Sequence, residues 1–144
     1  MKIAFPLALA ALGALSGTQH ELVIGGITLG QSESSVIGTL GKPASRSVSE
    51  TTDYLPVTLT YPGFTIGLDE QGVGRLLSSS SRYCTPVGAC PGMRLVDVQR
   101  IYGPEMRVEQ VDGAPKGYVF DEGCWLAFAV KSGNIDTIEV TCMP

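Results

Sequence analysis

Displaced by 62 residues, the chain falls on itself without a gap. Gly26 meets Gly88, Gly30 meets Gly92, Val36 meets Val98, Gly41 meets Gly103 and Val57 meets Val119. The apolar positions follow. Leu40 matches Tyr102, while Phe64, Ile66 and Leu68 match Leu126, Phe128 and Val130. Val73 and Leu76 match Ile135 and Ile138, and Pro43 and Pro104 follow the paired glycines. A recurrence of this kind constrains the architecture before any single element is considered, because each copy must build the same local structure.

Within each copy the signals run in one order. Ser32 is placed to cap a short helix, with Glu33 in its first turn, where the helix dipole favours an acid. Val36, Ile37 and Leu40 share one face. Gly41 then supplies a left-handed end and Pro43 forbids continuation. In the second copy Leu95, Val98, Ile101 and Tyr102 form the face, ended by Gly103-Pro104, though Arg94 is a poor cap. Strands follow. Residues 46–51 read as a polar edge, Leu55, Val57, Leu59 and Tyr61 alternate with polar neighbours, and Phe64, Ile66 and Leu68 alternate before a turn into 73–78. The second copy gives strands at 107–111, 117–121, 125–131 and 135–142. Helices this short are unstable alone and must lie on a sheet. The expected fold is therefore α+β. It has two tandem units, each a short helix packed on a three- to four-stranded antiparallel sheet, with the sheets joined into one curved surface.

Ahead of this pattern lies Met1-Lys2 and an apolar run from Ile3 to Leu15, with Ser16 at the exit. The run is too short to span a bilayer and matches a signal peptide of residues 1–16. The expected boundaries are then residues 17–79 for the first unit, 80–91 for a linker and 92–144 for the second. Removal of Lys2 takes the net charge of -4 to -5. Export turns an even count of four cysteines into two expected disulfides. Three connectivities are open. Cys84 and Cys90 bound a Pro/Gly loop, and Cys124 and Cys142 are symmetric about Gly133, across the arms of a hairpin, so these two pairs are favoured. A chain with 17% charged residues and no basic run is a poor partner for nucleic acid, and no further membrane segment is present.

The unit as a whole, Gly30-Gln31-Ser32 with Val36 and Leu40-Gly41, then Gly92-Met93-Arg94 with Val98 and Tyr102-Gly103, resembles the repeat of the β-lactamase inhibitory protein family. It is similar also to the small outer-membrane lipoproteins that assist β-barrel assembly. The resemblance covers Gly26 to Cys142. It implies a helical segment on a small antiparallel sheet in each unit, and a curved surface that grips a partner protein. Half of the family's Gly-Met-Thr box is present, in the second copy. The lipoproteins' N-terminal cysteine is absent, which speaks against anchoring.

No constellation points to catalysis. His20 is the chain's one histidine and precedes every structured element, so a Ser-His or Cys-His nucleophile lacks its base. The serines at 78–81 stand outside any nucleophile elbow. Asp69-Glu70 and Asp121-Glu122 read as turn and strand-edge charge, and no metal or cofactor spacing is visible. A small hydrolase would need a polar pocket around those carboxylates.

One surface is more pointed. If Phe64, Ile66, Leu68, Leu126, Phe128 and Val130 face the helices, then Gly63, Thr65, Gly67, Trp125, Ala127 and Ala129 face away. That small-residue face carries the chain's one Trp, with Tyr61 or Tyr118 beside it as further anchors. The expected function is a non-enzymatic periplasmic or secreted protein-binding module without cofactor. The alternatives are an inhibitor of a secreted or periplasmic hydrolase of β-lactamase or lysozyme type, and a structural envelope protein that self-associates as a homodimer through the sheet face.

Overall fold

The computed structural model describes residues 22–50 and 54–144. The leader expected at residues 1–16 and His20 lie outside the described residues. A two-strand hairpin, β1 (Val23–Ile24) and β2 (Ile27–Thr28), leads into helix α1 (Glu33–Leu40). Strands β3 (Ser45–Val48), β4 (Val57–Tyr61), β5 (Phe64–Asp69) and β6 (Gly72–Ser78) follow. After a connection holding one disulfide come helix α2 (Leu95–Tyr102), a 3-10 turn at Gly103–Glu105, and strands β7 (Arg107–Val111), β8 (Ala114–Asp121), β9 (Cys124–Lys131) and β10 (Asn134–Cys142).

The eight longer strands form one antiparallel sheet in the order β3-β4-β5-β6-β10-β9-β8-β7. The expected α+β arrangement of two helix-on-sheet units is therefore corrected. The described chain is mostly β, with two helices of eight residues each. The reason lies in how little each helix buries. α1 contributes Val36 to the buried set, and α2 contributes Val98 and Tyr102. That is too small a lid to close a separate core over three or four strands. Instead β6 pairs with β10, at Leu76↔Val140, Leu77↔Glu139 and Ser78↔Ile138, and one core runs under the six inner strands. The 62-residue offset persists in element positions, since α1 opens at Glu33 and α2 at Leu95.

One face of the sheet carries the core. Leu59, Phe64, Ile66 and Leu76 from one half meet Leu126, Phe128, Ile138 and Val140 from the other, all essentially inaccessible. Val73 and Leu76, like Ile135 and Ile138, are three residues apart, which in a regular strand would place them on opposite faces. A bulge solves this in each half. The register shifts between Gly67 and Leu68 opposite Arg75 and Val73, and again between Ile135 and Thr137.

Local caps follow the sequence. The Ser35 amide donates to Ser32 Oγ at 3.2 Å, closing the first turn of α1. Gly41, at φ 85°, ends that helix and donates its N–H to the Ile37 carbonyl. Arg94 makes no side-chain cap on α2 and pairs with Asp97 instead. The two disulfides join Cys84 to Cys90 and Cys124 to Cys142. Cys124 and Cys142 are direct cross-strand partners at the ends of β9 and β10. Residues 80–91 do not hang loose: Tyr83, Thr85, Ala89 and Pro91 are buried there. Tyr102 Oη is hydrogen-bonded to Thr85 Oγ1, which also accepts from the Ala89 amide. Among the described residues no helix is long and apolar enough to cross a membrane.

Candidate functional site

The face of the sheet opposite the core is built from alternate residues. On β8 these are Lys116, Tyr118 and Phe120, because Val119 points inward and is buried. Register then sets their neighbours. Phe120 stands opposite Trp125 on β9, and Tyr118 lies between Arg107 on β7 and Ala127 on β9. The rings form a connected row. Tyr118 and Phe120 are near-parallel with centres 5.8 Å apart, and Phe120 and Trp125 are tilted by 48° with centres 6.3 Å apart. Phe120 is 53% exposed, an unusual position for a phenylalanine. Two cations flank the row. The Arg107 guanidinium lies 5.9 Å from the centre of the Phe120 ring, and the Lys116 ammonium 5.7 Å from that of Tyr118. Both sit at cation–π range.

Trp125 stands on a strand end tied to its neighbour. Its partner on β10 is Thr141, one residue from the Cys124–Cys142 disulfide. A ring on a strand end pinned in this way has little freedom left to lose. The first half presents a different surface. There Leu55 lies over Gly67 and Gly74; a Cβ on Gly74 would collide with it and one on Gly67 would press against it. Beside it a cavity of about 130 Å³ is lined by Thr58, Thr65, Arg75 and Leu77. Arg75 is committed to Glu139 at 2.8 Å, across the β6–β10 junction.

Of the three anchors expected from sequence, the structure brings Trp125 and Tyr118 to one face, with Phe120 between them. Tyr61 is elsewhere. It is 5% exposed, in register with Phe64 on the core side, and its hydroxyl donates to the Gly41 carbonyl at 2.8 Å. Burial raises its phenol pKa, with nearby Tyr83 adding to the effect. Tyr61 shares its alternation with Leu59, so the pattern that located the strand also assigned it to the core. Phe120, Arg107 and Lys116 escaped the sequence reading. Period two from Tyr118 was the signal that places Phe120 and Lys116 on the same face.

The carboxylates do not assemble into a reactive pair. Asp69 Oδ1 accepts from the Gln71 amide and shapes the β5–β6 turn. Asp69 and Glu70 border an open depression of about 260 Å³ together with Glu33, which is paired to Arg46. That guanidinium holds the Glu33 carboxyl below its ordinary pKa. Asp121 and Glu122 sit at the β8–β9 turn, at the other end of the sheet order. Among the described residues no group of three or more His, Cys, Asp or Glu could hold a metal ion.

No family model and no curated protein matches the chain. An extracellular protein containing an SCP domain, from Bacillus anthracis strain Ames, superposes with a TM-score of 0.58 at 12% identity, over 78% of this chain and 43% of that one. The chain thus spans less than half the length of that protein. A DUF4309 family protein (YjgB) from Bacillus subtilis superposes with a TM-score of 0.48 at 13% identity, over 82% of this chain and 83% of that one. Neither is a β-lactamase inhibitory protein or a barrel-assembly lipoprotein.

Proposed function

We propose that this chain is a non-enzymatic, exported protein-binding module that grips its partner with the outer face of β7, β8 and β9. The observation that carries this reading is the connected row of Tyr118, Phe120 and Trp125 on a face with no helix over it, with Phe120 more than half exposed. Trp, Tyr and Arg are the residue types in which binding energy concentrates at protein interfaces, and all three stand together here. Two disulfides suit an oxidising compartment, and the SCP-domain neighbour of similar fold is described as extracellular.

The test compares capture by the native protein with capture by Phe120→Ser and Trp125→Ala, from culture medium and cell-surface extract. A captured protein is then purified and titrated against all three forms. The proposal expects stoichiometric binding to the native chain, weakened about tenfold or more by either substitution. Equal binding by all three forms refutes it.

A further inference from the structure

The charge around the aromatic row identifies the kind of partner. Arg46, Arg75, Arg94 and Arg100 are each engaged by a carboxylate. Among the described residues Lys42, Arg82, Arg107, Lys116 and Lys131 form no such pair; of these, Arg107 and Lys116 lie together on the aromatic row, against Phe120 and Tyr118. Glu109 is the cross-strand partner of Lys116, yet no ion pair joins them. A chain with a net charge of -4 thus places two cations against its outward-facing row of rings. The ring tilt matters as well. Trp125 is turned 48° from Phe120, so the pair forms a notch for an apolar side chain.

We infer that the occupant of this face is an acidic segment of another protein, in which Asp or Glu is adjacent to an aromatic or aliphatic residue. The inference rests on the binding reading above. The apolar residue enters the notch between Phe120 and Trp125, and the carboxylate meets Arg107 or Lys116. Arg107 suits the role because its planar fork can hold a carboxylate through two hydrogen bonds while its face stays on the ring.

The test uses the full disulfide-bonded chain to select from a displayed random-peptide library. Enriched peptides are then synthesised and titrated by the fluorescence of Trp125, the chain's one Trp. The expected peptides pair Asp or Glu with a neighbouring apolar residue. Their affinity falls about tenfold or more in Phe120→Ser. It also falls as salt rises from 0.15 to 1 M, where screening shortens the reach of charge from about 8 to about 3 Å. The Arg107→Glu/Lys116→Glu double variant shifts selection toward Lys- and Arg-bearing peptides. Phe120→Ser removes a ring that is already largely in solvent, so it leaves the core untouched and keeps the comparison meaningful. Uncharged peptides that lose affinity in Phe120→Ser but ignore the charge reversal overturn the acidic partner and spare the binding face. Peptides indifferent to Phe120→Ser, or no enrichment above that variant, overturn the face itself. Polyphosphate binding as tightly as the selected peptides overturns the peptide in favour of an anionic polymer. Dimerisation on sedimentation, weakened by Phe120→Ser, overturns it in favour of a second copy.

Discussion

Gly72 shows how one residue fixes a junction between elements. Its φ is 107°, and a Cβ there would lie 2.6 Å from the carbonyl oxygens of both Gly30 and Gln31. Those backbones approach because the segment before α1 pairs with β6. Gly30 N–H donates to the Val73 carbonyl at 2.8 Å, and Val73 N–H donates to the Gln31 carbonyl at 2.9 Å. A side chain at position 72 would have to displace backbone, and backbone cannot swing aside as a side-chain tip can. Gly26 provides the contrast, since it also has a positive φ, of 79°, but nothing lies within 4 Å of its Cβ position. Gly26→Ala should therefore cost about 1 kcal/mol, the price of a left-handed alanine, while Gly72→Ala should cost more than about 2 kcal/mol. Urea unfolding of the two variants separates them. Equal losses would mean that the junction relaxes around the added methyl.

At the scale of elements, ends are secured by short-range devices of unequal strength. The Cys124–Cys142 bond closes a separation of 18 residues and the Cys84–Cys90 bond one of 6. Chain entropy then assigns about 3 kcal/mol to the first and about 2 kcal/mol to the second. Replacing each pair by serines, with thermal unfolding as readout, should show the larger loss for the β9–β10 staple. α1 has a different tie, since Glu33 pairs with Arg46 on β3 and so links the helix to an edge strand whose residues are all exposed. The Glu33 carboxyl is more acidic folded than unfolded, so the pair's contribution is present above the ordinary Glu pKa of about 4.3 and is lost as pH falls through the lowered value. Glu33→Gln should remove that part of the acid sensitivity and leave stability at high pH slightly reduced, because the pair is exposed and screened. Acid titrations of both forms that run parallel below pH 4 would exclude the link. The disulfide pairs and the helix caps were legible in the sequence because they are local, whereas the Glu33–Arg46 pair was not. Caps, glycine ends, turns and alternation are all written within a few residues. The bulges at Gly74 and Asp136 were not, because a three-residue apolar spacing acquires its meaning only from the partner strand. Site residues divided similarly: Trp125 and Tyr118 could be placed by alternation, whereas the nearness of Arg107 depends on β7–β8 register.

For the whole molecule the deciding contact is between residues far apart in sequence. β6 and β10 meet at the centre of the sheet, and no helix periodicity or turn chemistry announces that pairing. It converts what the sequence presented as two units into one sheet over one core. Leu76 sits at this seam, fully buried and opposite Val140, while Arg75 and Glu139 bridge the same strands on the outer face. Neither half can lose its share of the core without exposing the other's. The molecule should therefore unfold in one transition rather than two. Hydrogen exchange read by mass spectrometry provides the measurement, because peptides from β4–β5 and from β8–β9 report on opposite sides of the seam. Leu76→Ala, which empties about a Leu-to-Ala volume at the join, should lower stability by about 2–5 kcal/mol. It should also hasten exchange equally in both sets of peptides. If protection falls in β4–β5 while β8–β9 stays protected, the halves fold on their own and the seam is only a contact between them. The same result would loosen the aromatic face from the rest of the chain, since Tyr118, Phe120 and Trp125 all belong to the β8–β9 side. A single transition instead makes the order of that face depend on the core that both halves share. A change as distant as Leu76→Ala would then weaken the proposed partner binding only when enough of the population is unfolded, and raising the temperature should reveal that loss together with a change in Trp125 fluorescence.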